Sequence, residues 1–239
     1  MKNNAFVTPN NNFQLFSIEH GLVILFFIFL GFFLIRWSLK QTVERQDRVG
    51  FLITVILIAT NVIWMVLQFF FEDFNYREDL PFHLCNVVGL LTIFLATTKR
   101  LWIYEVLLFW ILSAVLLAAV TPGIVDSFPH YHFIKYWITH AGVIIYIFYA
   151  TFVYQMRPTI KSVFKSFFAI QIYAVIIYII NLILGSNYFY LNGKPPVDTL
   201  LDAFGDWPNY LIAIEIMLIP LFLLIYLPFY LAKKMAKKK

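Results

Sequence analysis

The chain has 239 residues, of which 62% are hydrophobic, 20% aromatic and only 13% charged, with a mean hydropathy of +0.79. That balance excludes an ordinary water-soluble domain. The formal charge of +5 does not point to nucleic acid, because five of the 18 basic residues are Lys233, Lys234, Lys237, Lys238 and Lys239, directly behind an apolar run; such a cluster suits the anionic inner leaflet of a membrane.

Seven apolar runs follow one another, at about 18–39, 49–71, 81–97, 101–120, 134–155, 163–185 and 208–231. In hydrocarbon each backbone polar group has to be satisfied within its own segment, so these runs are expected to be helices. The predicted fold is all-α, a polytopic membrane protein forming one domain over 1–239 with seven transmembrane helices. The first run begins near Ile18 behind a lone Lys2 and no small-residue cleavage site follows it, so a retained helix is expected rather than a signal peptide. The third, at the short end for a crossing, opens at Pro81, a favoured first-turn residue.

If the seven helices alternate, 14 of the 18 cations fall on one side: Arg36, Lys40, Arg45, Arg48, Lys99, Arg100, Arg157, Lys161, Lys165 and the five C-terminal lysines. The other side receives Lys2, Arg77, Lys135 and Lys194, with the acidic residues Glu72, Asp73, Glu78, Asp79, Asp126, Asp198, Asp202 and Asp206. Because Lys and Arg favour cytoplasmic loops, the N-terminus is expected outside and the C-terminus in the cytoplasm of a cell-membrane, multi-pass protein. The longest segment between runs, 185–207, is rich in Gly, Asn, Pro and aromatic residues and is expected to form a structured outer cap. No internal repeat is visible.

Polar side chains inside a membrane are costly and therefore informative. Most fall in the outer half: Glu19, His20, Gln68, His83, Cys85, Asn86, Thr121, His130, His132, His140, Asn181, Asn209 and Glu215. His20, His130 and His132 lie near enough to the interface for headgroup or water contacts to satisfy them. Glu105, near the inner end, is expected to pair with Lys99, Arg100 or Arg157, and Asn61 and Asn181 to bond between helices. Glu215, about two turns deep, needs a partner or a proton.

Cys85, the only cysteine, forms no internal disulfide. With helices opening at Pro81 and near His132, Cys85 lies about 6 Å and His140 about 12 Å below the outer end, close enough to meet if the helices are neighbours. A thiol in a helix N-terminal turn near an imidazole has two influences that favour thiolate, and Cys/His is a sound nucleophile and base pair. A buried inert cysteine is the competing reading. His83, about 200° around the helix from Cys85, suits a substrate contact better than the base. Zinc on His83, Cys85 and His140 lacks any CxxC or i,i+4 His pair to support it, and no metal or soluble cofactor is called for.

Several short motifs add a resemblance. Leu80-Pro81-Phe82-His83-Leu84-Cys85-Asn86, Phe109-Trp110, Thr121-Pro122, Phe128-Pro129-His130, Thr139-His140-Ala141-Gly142, and Gly185-Ser186-Asn187-Tyr188-Phe189-Tyr190-Leu191 with Lys194-Pro195 resemble the bacterial YwaF-like membrane proteins. Those are similar to the vertebrate transmembrane acyltransferase that builds ether phospholipids and, more distantly, to the androgen-induced-gene lipid hydrolases. The resemblance covers roughly 15–230. It implies intramembrane acyl chemistry with Cys85 as nucleophile and His140 as general base; Ala141 stands where the first of two glycines is expected. The implied reaction moves an acyl chain between phospholipid and lysophospholipid near the outer leaflet, with His83, Asn86, Asn181, Glu215, Asn187 and Tyr188 as candidate substrate contacts and His83, Asn86 or Asn181 as oxyanion donors. The rival readings are a lipid hydrolase with the same pair, a lipid-binding or transport protein, and a structural or sensory bundle. The expected partner is a membrane lipid and not nucleic acid.

Overall fold

The computed structural model describes residues 10, 12–71, 74–195 and 199–236. Lys2, Glu72, Asp73, Asp198 and Lys237 to Lys239, used above, lie outside the described residues. Among the described residues all regular structure is helical: α1 Ile18–Ser38, α2 Val43–Phe71, α3 Leu84–Thr98, α4 Leu101–Val120, α5 Tyr131–Phe152, α6 Ile160–Leu184 and α7 Asn209–Ala236. Six are long and apolar enough to cross a membrane. The third apolar run forms the 15-residue α3, about 22 Å long at 1.5 Å per residue against a core of about 30 Å.

α3 starts at Leu84 rather than Pro81 because its approach is held in a non-helical bend from outside, with the Phe82 N–H turned back to the Leu80 carbonyl at 2.8 Å. The Leu80 N–H donates to the Tyr188 hydroxyl at 3.1 Å, and the Phe82 carbonyl accepts from the Tyr173 hydroxyl at 2.7 Å. His83, at φ −72° and ψ 144°, is the N-cap.

α4 and α5 form the centre, with 67% of their most apolar 18-residue stretches buried, against 11–22% for α1, α2, α6 and α7. The four outer helices turn rows of Leu, Ile, Val and Phe outward, an apolar exterior that water would not tolerate and lipid does. α4 carries a π-helical stretch at Ile111–Val115, where the Ser113 hydroxyl bonds back to the Phe109 carbonyl at 2.6 Å, as serine does inside apolar helices. Close approach to α5 depends on small residues: a Cβ on Gly142 would stand 2.6 Å from Leu57 Cδ2 of α2, a side chain with no room to retreat at 1% exposure.

Polar contacts gather at the two ends of the bundle. At one end Lys99 pairs with Asp47, and the buried Glu105 takes Lys165 and the Ser162 hydroxyl, the latter at 2.7 Å. This corrects the expected partners of Glu105: α6 lies along α4 and brings Lys165 to it, whereas Arg157 is spent on the carbonyls of Thr151 and Met156. At the other end Glu19 accepts from the Ser127 hydroxyl and the Phe128 N–H at 2.8 and 2.9 Å. His20 is buried there between the Phe16 N–H and the Ala119 carbonyl, and His130, equally buried, lies 3.4 Å from Asp126. Both rings are thus enclosed by the protein rather than lying open at the interface.

The described part of 185–207 is folded, as expected of a cap. Gly185 ends α6 in the left-handed region at φ 62°, which glycine adopts without strain. Asn181, 1% exposed, bonds to this loop instead of bridging helices: its amide oxygen accepts from the Tyr188 N–H and the Ser186 hydroxyl, and its amide nitrogen donates to the Tyr188 carbonyl. Lys194 bridges Asp202 and Asp206 at 2.9 and 3.0 Å; the two carboxylates hold its ammonium above the usual lysine range. Asn181→Ala leaves those buried groups unpaired, at about 1–3 kcal/mol each, so the thermal midpoint in detergent is expected to fall by several degrees. An unchanged midpoint would mean that water replaces the amide.

Candidate functional site

The cap end of the bundle holds the polar cluster. Cys85 is the second residue of α3, nearer the helix start than the sequence suggested, and half-buried. The first N–H groups of a helix have no carbonyl of their own within it; the Asn86 N–H donates to the His83 carbonyl at 3.0 Å, which leaves the Cys85 N–H beside the thiol. The Cys85 N–H is a main-chain candidate for stabilising an oxyanion. Sequence reasoning had considered only side chains, because it could not fix where α3 begins. Asn86 beside it is 8% exposed and its side-chain oxygen has no hydrogen-bond partner.

His140, 6% exposed, is set on α5 by two contacts. Nδ1 lies 2.9 Å from the Tyr136 carbonyl, which can only accept, so Nδ1 carries the proton. The ring stacks on Tyr136 at 3.9 Å and 22°, and the Tyr136 hydroxyl is itself fixed to the Ala118 carbonyl at 2.6 Å. Nε2 has no hydrogen-bond partner among the described residues and keeps its lone pair.

α3 and α5 are neighbours and both run away from the cap. A Cβ on Gly89 would lie 4.0 Å from Val143 Cγ1, which fixes their register. Cys85 is four residues before Gly89 and His140 three before Val143, so both stand one turn nearer the cap than that contact, on sides of the helices that face one another. No hydrogen bond joins Cys85 and His140 in this structure.

Around the pair stand His83, whose ring meets Tyr188 at 5.2 Å and Tyr190 at 5.1 Å, and Lys135. The latter, assigned no role beyond its charge in the sequence, is half-buried in the second turn of α5. Other proposed substrate contacts fall elsewhere. Asn181, Tyr188 and Asn187 are occupied in building the cap: the Tyr188 hydroxyl donates to the Tyr76 carbonyl at 2.8 Å, and Asn187 bonds to Gly193 and Asn192. Tyr188 still reaches the cluster through its contact with His83. Glu215 is exposed on α7 and accepts from Gln171 Nε2 at 2.9 and 3.1 Å. Among the described residues no three His, Cys, Asp or Glu side chains form a metal-binding group.

Six long apolar helices, four of them turning apolar rows outward, and a polar cluster at one end define a multi-pass membrane protein. The chain belongs to the TMEM164 family, whose model matches residues 15–226 and so includes every residue of the cluster. No curated protein and no solved structure gave a significant match.

Proposed function

We propose that this chain is an intramembrane lipid acyltransferase of the YwaF-like bacterial branch, moving an acyl chain between phospholipid and lysophospholipid through Cys85 and His140. The observation that carries the reading is the register of α3 on α5, which sets the one thiol and an imidazole with a free Nε2 at the same level below the cap. His140 Nε2 takes the thiol proton as Cys85 Sγ attacks the ester carbonyl, the Cys85 N–H in the first turn of α3 holds the oxyanion, and the lysolipid oxygen leaves with that proton. A lysolipid hydroxyl then gives its proton to His140 and attacks the thioester, and the thiol is restored.

The full chain in proteoliposomes, supplied with labelled phospholipid and unlabelled lysophospholipid, should transfer the label to the acceptor. Free fatty acid as the only labelled product would make the enzyme a hydrolase. No turnover with any lipid, and a Cys85→Ala variant that binds lipid as well as the parent, would favour a lipid-binding protein.

In this reading α3 completes a set of seven crossings, the C-terminal lysines face the cytoplasm, and the cluster opens toward the outer leaflet of the cell membrane. That location favours another membrane lipid over cytosolic acyl-CoA as donor. In a Cys85→Ala background, a cysteine at the exposed Asn192 should react with an impermeant maleimide on intact cells, and one at Lys234 only after permeabilisation. The reverse pattern would overturn the orientation.

A further inference from the structure

Lys99 and Arg100 form the turn between α3 and α4, and the two cations part there. Lys99, at φ 51°, pairs with Asp47 of α2 and lies 3.2 Å from the centre of the Tyr154 ring. Arg100 is exposed, and among the described residues its guanidinium makes no hydrogen bond or ion pair. The acidic residues outside the described ones, Glu72, Asp73 and Asp198, belong to the α2–α3 and α6–α7 connections, which join helices at the far end of α3 from Arg100. Arg100 is also the N-cap of α4. Its side chain has no acceptor to offer, so the first N–H groups of that helix go uncapped.

Arg100 lines one end of a groove of about 200 Å³ between α3 and α4. Leu91 of α3 and the buried Val106 and Leu107 of α4 line its depth, and Phe94 and Trp102, each more than half exposed, line it toward lipid. From Arg100 to Leu107 the groove follows α4 for about 10 Å. Pockets for small polar ligands usually hold about 300–1,000 Å³ and place polar groups inside; this one is smaller, and its polar residues, Thr98 and Arg100, stand at the turn. Charge at the membrane interface with an apolar length running inward is the outline of a lipid headgroup and chain. The arginine fork matches phosphate oxygens. The N-terminus of α4 favours the same anion, and a tryptophan suits the headgroup level.

We propose that the α3–α4 groove is a binding site for one glycerophospholipid, its phosphate on Arg100 and the first N–H groups of α4 and one acyl chain along Leu91, Val106 and Leu107. The site is separate from the polar cluster and independent of the acyl-transfer reading, since Cys85 stands at the other end of α3, about 20 Å along the helix from Thr98. A lipid held there joins the inner end of α3, the shortest of the seven helices, to α4. The apolar rows elsewhere on the exterior meet lipid without a cation beside a recess, so contacts there are independent of Arg100.

The test uses the full chain in detergent with a phosphatidylglycerol that carries a diazirine on one acyl chain, irradiated and mapped by peptide mass spectrometry, for the parent, Arg100→Gln and Leu91→Trp. Gel filtration and thermal unfolding check the fold of each variant. Adducts should concentrate on residues 91–107. In Arg100→Gln they should fall there about fivefold, while those on α1 and α6 stay at the parental level. Leu91→Trp fills the groove and keeps the arginine, and should lower the same adducts about threefold or more. Diacylglycerol with the same diazirine brings no phosphate and should label 91–107 equally in the parent and Arg100→Gln. Adducts spread evenly over the exterior, or unchanged in Arg100→Gln, would reduce the groove to ordinary lipid contact and overturn the site. Adducts confined to 82–90 and 131–140 would assign the lipid to the polar cluster instead. Millimolar inorganic phosphate should leave the adducts in place; their loss would make Arg100 a site for a free anion and overturn the lipid assignment.

Discussion

Acyl exchange is expected to fall by at least about a thousandfold on Cys85→Ala, because a covalent route loses its nucleophile and no second thiol exists to replace it. The fold is expected to survive. Cys85 is only half-buried, at the edge of the core rather than within it, and a volume loss of one sulfur there costs no more than about 1.5 kcal/mol. The measurement is initial exchange rate in proteoliposomes, normalised to protein that elutes as the parent does on gel filtration. Cys85→Ser is the informative companion, since a hydroxyl in the same place is a far weaker nucleophile at neutral pH. Exchange at the parental rate in the alanine variant would remove the nucleophile from the mechanism whatever else the cluster contains.

Much of the bundle is legible in the sequence because lipid imposes few solutions. A run of about twenty apolar residues with cations at one edge specifies a helix, and α1, α4 and α6 fall within a few residues of their apolar runs. Two of the misplaced features have determinants distant in the chain, and the third has a partner in a nearby loop whose fold no periodicity reveals. Pro81 carries a first-turn signal, yet the backbone around it is held in a non-helical bend by Tyr173 and Tyr188, about a hundred residues away. Glu105 was matched to cations nearby in the inner loops, while its partners come from α6. Asn181 has the look of interhelical glue until the loop it closes is in place.

The site divides in the same way. Cys85 and His140 are found by residue type and depth, since an ionisable or nucleophilic side chain inside a membrane segment is rare enough to stand out. Lys135 was counted only as one of four outer cations. Glu215 is the converse case, a buried-looking carboxyl whose helix turns it outward to Gln171.

His140→Gln is the second large effect expected, and it separates a base from a bystander. Exchange should fall by about a hundredfold or more, the range that positioned general bases contribute. Glutamine keeps most of the volume that packs on Tyr136 but offers no imidazole lone pair at the Nε2 position. Because Cys85 is the only cysteine, labelling with a membrane-permeant maleimide reports that thiol alone, without any lipid substrate. If Nε2 takes the thiol proton, labelling of the glutamine variant should slow about tenfold or more relative to the parent. Tyr136→Phe supplies the control for packing. It removes the hydroxyl held by Ala118 while leaving the ring under His140 and the carbonyl that fixes Nδ1, so labelling should stay near the parental rate. Equal labelling of the parent and His140→Gln would show that the imidazole does not act on the thiol, and loss of exchange in that variant would then be a matter of binding.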